Sequence, residues 1–527
     1  MSSSSRRAFL RHAIGFSSLG AAGSLGLSLA TLGKASAQSA GGYQALVCVF
    51  LYGGNDAYNT VLATDSASWG HYRSHRDPRS RVASDTSTSI ALLGPGTPAN
   101  LSAEAGTPER LGGVLPIAHS GRAANAGRQF ALHPSLTRLQ GLYQERRLAV
   151  LANVGPLIQP TTKANYASSS FAKPAKLFSH NDQYSTWQSF SPEGAGAGWG
   201  GRMGDLLMSQ NGLSSQGERR GIVQNSFTCL TPGGSSIWLS GHAVTPYQSG
   251  NTAVASLGSN GKLFESAAAQ AAVMAVMNDA TDTNLFAQAH QQVVARALKA
   301  QDLIAPGFPA QAQSPWGTPG KDTWTDPLLK YTGIDGQAKT NQLAIQLQMV
   351  ARMIDVNRTA GLGAQRQVFM VSLGGFDSHD NQNQDHADRM LQLNHALAYF
   401  DTVLGRMPAG DMRSQVTTFT ASDFGRSFTN NGDGTDHGWG GHHLIMGGAV
   451  QGGEVYGTFP QYSTADGNGV FSSPDQIANG VMLPTTSVDQ YAYTLGKWMG
   501  VSPTDLAGIL PNLNNFNASA HNLGFMG

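Results

Sequence analysis

Cysteine is nearly absent from the 527-residue chain, which holds only Cys48 and Cys229. Two thiols cannot build a disulfide framework, so stability does not rest on cross-links even in an oxidising compartment. Cys48 lies in the apolar run ALVCVFL and reads as a buried strand residue, Cys229 stands before the turn TPGG, and one bridge between them stays open. Beyond the N-terminus no apolar run is long enough to span a membrane. A dinucleotide fingerprint, a phosphate loop and a repeat of fixed period are missing too.

The N-terminus carries Arg6 and Arg7 before Phe9 and Leu10, a weakly apolar Gly/Ala/Ser/Leu run, and the small-residue pattern Ala35-Ser36-Ala37. This reads as a twin-arginine export signal over residues 1–37, with cleavage near Ala37. The twin-arginine translocase is then a partner during export, and the location is periplasmic or extracellular. Its many Gly and Ser residues argue against a membrane anchor. Removing the leader's Arg6, Arg7, Arg11 and Lys34 leaves 30 basic against 33 acidic residues, so nothing points to nucleic acid as a partner.

Residues 38–527 suffice for one large domain or two ordinary ones, and a single α/β domain is the expectation. The run from Ala45 to Tyr52 is apolar without alternation and breaks at Gly53-Gly54-Asn55-Asp56, as a strand buried on both faces would. Thr64 to Arg128 shows little periodicity and reads as a long excursion. Helix-like segments then alternate with apolar strands: 134–147 before LAVLANVG, 341–356 before QVFMVSLGG, and HADRMLQLNHALAYFDTVLGRM before QVTTFTASDFGR. Alternation of this kind predicts a doubly wound α/β fold with a mainly parallel sheet. HLIMGGAV (443–450) reads as a further strand, VDQYAYTLGKWMG as a closing helix, and about 194–338 as a helical insertion.

In such a sheet, functional groups gather beyond the carboxyl ends of the strands. The polar clusters expected there are Asp56, the run Ser179-His180-Asn181-Asp182, the run Asp377-Ser378-His379-Asp380, and Asp423 followed by His437, His442 and His443. The stretch from Thr420 to His443 packs three aspartates and three histidines among six glycines. Turns need Asn, Asp and Gly, but histidine adds nothing to a turn, and carboxylate with imidazole suits a borderline metal. The segment NNGDGTDHG lacks the closing glutamate of an EF-hand loop, so calcium of that type is a weak reading.

The motifs LYGGNDAYNT, SHNDQYSTWQ, LGGFDSHDNQ and SDFGRSFTNNGDGTDHGWGGHHLIMGGAVQGG, behind a twin-arginine leader, resemble the bacterial exported family catalogued as domain of unknown function 1501. The resemblance implies membership of the alkaline phosphatase and sulfatase superfamily. It carries with it an α/β three-layer sandwich around a mainly parallel sheet, one or two divalent metals (zinc, manganese or calcium), and a Ser or Thr nucleophile at a helix start. Asp56, Asp377, Asp423, His437 and His443 would then bind metal. Ser179 would be the nucleophile, His180 or His379 would protonate the leaving group, and Arg426 would clamp anionic oxygens. The substrate would be an anionic small-molecule or envelope-derived ester of phosphate or sulfate.

Two departures bear on that set. Phe424 stands where the phosphatases have histidine, and the histidine after Asp377 comes at His379, two residues on, while Asn381 occupies the usual fourth place. Three readings follow: His379, His442 or His443 replaces the missing ligands, a single metal binds, or the site is vestigial. The last would leave an envelope binding or assembly protein that keeps the fold.

Overall fold

Why the chain sandwiches its first strand is visible in that strand's side chains. In the computed structural model, which describes residues 42–80, 84, 88–234, 236–254, 258, 262–277 and 284–527, β1 (Gln44–Leu51) is buried along almost its whole length. Ala45, Val47, Val49 and Leu51 pack into one apolar cluster, while Leu46, Cys48 and Phe50 pack into another on the opposite face. A strand with both faces apolar has to lie between two layers, each fully buried Val, Leu or Phe contributing about 1.5–3 kcal/mol. The export signal expected over residues 1–37 lies outside the described residues.

The remaining sheet strands are β2 (Leu148–Gly155), β3 (Cys229–Thr231), β4 (Tyr247–Gln248), β5 (Arg366–Leu373) and β6 (Val416–Ser422). A hairpin of β7 (Arg426–Asn430) and β8 (Thr435–His437) stands apart, and β9 (Gly441–Met446), β10 (Val455–Tyr456) and β11 (Thr486–Ser487) return to the sheet. The order is β10-β2-β9-β6-β1-β5-β3-β4, with β11 also on β2. Pairings are parallel except where β9 runs antiparallel to β6 and β2. The protein is therefore a mixed α/β fold with a large, mainly parallel sheet. The span 194–338 supplies β3 and β4 to one sheet edge as well as helices.

Helices cover both faces. Helices Gln342–Thr359 and Gln382–Leu404 pack on the face of Val47 and Val49, the first capped by Asn341, whose side chain accepts from the Leu343 and Ala344 amides. Helices His180–Ser189, Trp199–Leu207 and Val488–Trp498 cover the other face, and Ser487 with Gln490 closes the last as a capping box. The region read as an excursion is structured where described. Val61–Ala63, Leu115–Ile117 and Phe130–Leu132 form a small antiparallel sheet, and Ser66–Arg76 is a helix. Cys48 and Cys229 are both free and buried, and burial pushes both thiols up.

Candidate metal centre

Glycine turns bring three neighbouring strand ends together. After β1, Gly53 takes φ +113°, and a Cβ there would stand 2.4 Å from the Asp377 amide nitrogen that follows β5. Gly54, at φ +83°, is crossed by the Phe424 ring, 2.3 Å from where its Cβ would be. No other residue allows both the backbone angle and the approach. The β7–β8 hairpin closes over the same edge. A Cβ on Gly434 would meet the His379 carbonyl at 2.3 Å, and the Thr435 amide donates to the Ser378 carbonyl at 3.0 Å. Glycines in this loop thus let backbone lie on backbone, and His437 is carried to Asp377.

Around Asp377 stand three imidazoles. His180 Nε2 lies 3.3 Å from Asp377 Oδ2, and His437 Nε2 and His379 Nε2 lie 3.3 and 3.1 Å from Oδ1. His379 Nε2 and His437 Nε2 are 3.0 Å apart. The outer nitrogens fix the tautomers. His437 Nδ1 is 2.7 Å from the Phe178 carbonyl oxygen, which can only accept, so Nδ1 carries the proton. His180 Nδ1 is 2.9 Å from Asp423 Oδ2 and donates in the same way. In the neutral rings both Nε2 lone pairs therefore face the Asp377 carboxylate. Phe178 accepts from His437 with its own backbone at φ +72°, an uncommon conformation for a bulky residue.

The charge pattern matches. The hydrogen bond that His180 donates to Asp423, then the charges of Asp423 and Asp377, push His180 up despite burial. Burial holds His437 down, with His180 and Arg426 adding to it. Burial would raise Asp377, but the Arg426 guanidinium, 2.7 Å from Oδ1, and the neighbouring imidazoles hold it below the usual carboxylate range. The cluster thus favours one positive charge at its centre, a proton or a metal ion.

The expected site residues separate into two groups. His180, Asp377, His379 and His437 converge, and Asp423 supports them from behind: its Oδ2 accepts from His180 and, at 3.2 Å, from the Gly53 amide. Asp423 thus stands behind the His180 ring, and His180, expected as an acid, turns its Nε2 toward Asp377. Ser179 begins the helix His180–Ser189, but its hydroxyl donates to Asp182 Oδ2 at 2.9 Å. Arg426 is fully buried, and its nitrogens bond Asp377, the Gly53 carbonyl and Thr435, so it fixes Asp377 rather than clamping a ligand.

Two of the expected ligands stand apart from the cluster. Asp56 is sealed: Arg76 pairs with both carboxylate oxygens, one contact at 3.0 Å, and Gln382 Nε2 donates at 2.6 Å. Burial alone would raise this carboxyl, but Arg76 holds it low. His443 sits within β9 facing the helical layer, stacked on Tyr491 at 5.9 Å and 28°, and burial brings it down to about 3. His442 points to the opposite face, stacked on Phe459, with its Nδ1 accepting from the Asn153 amide. Sequence reasoning missed Arg76 and the Phe178 carbonyl; no motif ties either to the site. Phe424, in the place where histidine was expected, packs against the His180 and His437 rings at 4.8 and 4.7 Å.

The donor set fits a metal ion. One ligand atom from each of His180, Asp377 and His437 can be chosen so that all lie within 4.8 Å of one another. His180 Nε2 is shut off from solvent and, among the described residues, has no properly directed hydrogen-bond partner. Histidine ligands whose second nitrogens donate to a carboxylate and a backbone carbonyl are the arrangement metal sites use. The model of the family described as "Protein of unknown function (DUF1501)" matches residues 43–510. Comparison with curated proteins returned no match.

Proposed function

The chain belongs to the DUF1501 family, and we propose that it is an exported hydrolase of phosphate or sulfate esters, on an alkaline-phosphatase-like fold, with a single divalent cation held by His180, Asp377 and His437. The observation that carries this reading is the convergence of two imidazole lone pairs on one carboxylate, each ring locked from behind. Arg426 already occupies Asp377 Oδ1 at 2.7 Å, and Arg76 already neutralises Asp56, which favours one ion over two. Zinc or manganese suits this nitrogen-rich set better than calcium. A cation there supplies a Lewis-acid charge that offsets the charge of an anionic ester.

The chain's own groups have distinct parts. Asp423 holds the His180 proton on Nδ1, and Phe178 does the same for His437, so neither ring can turn its lone pair away. Ser179 is hydrogen-bonded to a carboxylate able to receive its proton, the pairing an attacking hydroxyl requires. His379, its side chain 45% exposed beside His437, is placed to hand a proton to a departing oxygen. Export through the twin-arginine pathway to the periplasm or beyond belongs to the same proposal and rests on Arg6, Arg7 and the Ala35-Ser36-Ala37 pattern.

Elemental analysis of purified residues 38–527, after incubation with zinc, manganese and calcium, tests the reading. One ion per chain is expected, lost in Asp377→Ala and in His437→Ala, with hydrolysis of aryl phosphate or sulfate esters lost alongside it. Wild-type protein that retains no ion under any condition would sink the proposal. Retained metal without hydrolysis would favour the envelope-binding reading, which the Phe424 ring packed on both ligand histidines supports.

A further inference from the structure

A polar cavity of about 550 Å³ opens near the starting end of β2, whereas the candidate metal centre lies beyond the finishing ends of β1, β5 and β6. Its volume falls within the roughly 300–1,000 Å³ of small-molecule sites. One wall is Glu454, nearly buried, whose Oε1 accepts from the Val455 amide at 3.0 Å and whose Oε2 accepts from the Ser120 amide at 3.2 Å and from the Ser120 hydroxyl. Beside it lies Tyr143, 1% exposed, whose buried hydroxyl has no hydrogen-bond partner among the described residues. A buried hydroxyl left unpaired is costly, and Tyr143 is one of the residues that line this cavity.

Two guanidinium groups line the same space. Arg122 lies 4.2 Å over the Tyr456 ring, and Arg146 stands exposed on a residue with φ +60°. Neither has a carboxylate within ion-pair distance among the described residues. Burial raises the Tyr456 hydroxyl, the Arg122 and Arg146 guanidiniums lower it, and the Glu454 carboxylate raises it. The cavity thus has a cationic mouth and an inner wall carrying an acid and an unpaired hydroxyl.

We propose that this cavity binds a small hydroxylated anion, of the size and kind of a sugar acid or sugar phosphate. The oxyanion sits between Arg122 and Arg146, and the ligand's hydroxyls meet Tyr143 and Glu454. A plain inorganic anion uses only the mouth, and a neutral sugar uses only the inner wall. The two ends together give the discrimination.

The test is calorimetric titration of the full protein with glucuronate, glucose 6-phosphate, inorganic phosphate and glucose. It is done in an Asp377→Ala background, so that an oxyanion held at the candidate metal centre adds nothing. Both sugar anions are expected to bind at least about tenfold more tightly than phosphate or glucose, the scale of one added charge-assisted contact. Arg122→Gln combined with Arg146→Asn should abolish that binding, asparagine being chosen because it tolerates the left-handed backbone. Tyr143→Phe keeps the ring and its packing, and should weaken the sugar anions while leaving phosphate unchanged. No heat with either sugar anion, phosphate bound as tightly as they are, or binding that survives the double arginine variant would each overturn the proposal.

Discussion

Asp56 and Asp377 follow adjacent parallel strands after nearly the same turn, Gly53-Gly54-Asn55-Asp56 beside Gly374-Gly375-Phe376-Asp377, yet they end in opposite environments. Asp56 is fully buried against an arginine, while the Asp377 side chain is 44% exposed and faces imidazoles. A strand-end aspartate is therefore only an opportunity. What the rest of the fold sets beside it decides between a structural ion pair and a candidate ligand.

The sharpest way to break the comparison is Arg76→Ala. Both partners are at 0% exposure, so the variant leaves Asp56 charged, buried and, among the described residues, hydrogen-bonded only by Gln382 and the Tyr58 amide. Loss of one partner of a buried pair costs about 3–5 kcal/mol. Urea unfolding should show a loss of this size, and a loss well under about 1 kcal/mol would mean that Asp56 is not the sealed member of the two.

Asp489 shows what happens to a buried carboxyl that, among the described residues, has no arginine within ion-pair distance and feels only the charge of Arg202. Burial pushes it up to about 7, although the Asn512 amide donates to it at 2.9 Å. Because the folded-state value lies above the unfolded one, its contribution to stability is present below the unfolded value and is lost as pH rises through about 7. Relative to Asp489→Asn, the wild type should lose about 1.4 kcal/mol per pH unit over that window. Thermal unfolding of both proteins from pH 4 to 8 reads this directly, and parallel curves would refute it.

A smaller effect separates orientation from ligation. Asp423→Asn puts an amide where the His180 Nδ1 proton is accepted and lets the ring adopt the other tautomer. Metal affinity should fall about 10–100-fold with the fold intact, the usual consequence of losing a carboxylate behind a histidine ligand. Competition with a chromogenic chelator measures it, and unchanged affinity would show that His180 needs no orienting partner.

Much of the frame was legible in the residues. The unbroken apolar run of β1 announced a strand covered on both faces, and the helix-strand alternation announced the parallel sheet that places Asp377 and Asp423 at one edge. The direction of β9 was not legible, because an apolar run carries no arrow. A strand beginning at Gly441 puts His442 and His443 in its body, facing opposite layers, whereas a start at His443 leaves them at the site. Arg76 was invisible for a different reason. It lies in a segment without marked periodicity, and its tie to Asp56 is a tertiary ion pair, with nothing in the spacing of 20 residues to mark it.

The smallest effect is expected at the open end. Asp377 is held below its ordinary value, so its contribution is present above that value and is lost as pH falls through the depressed one. Solvent reaches 44% of the side chain, and Arg426 keeps its bonds to the Gly53 carbonyl and Thr435 when the carboxylate is removed. In metal-free protein at neutral pH, Asp377→Ala should therefore cost less than about 1 kcal/mol in urea unfolding, although it removes the centre of the cluster. Zinc at about 100 times its dissociation constant should then stabilise the wild type by about 2.7 kcal/mol and leave the variant unmoved. A metal-free loss as large as that of Arg76→Ala would make Asp377 a structural carboxylate like Asp56, and the difference between the two strand ends would then be one of exposure alone.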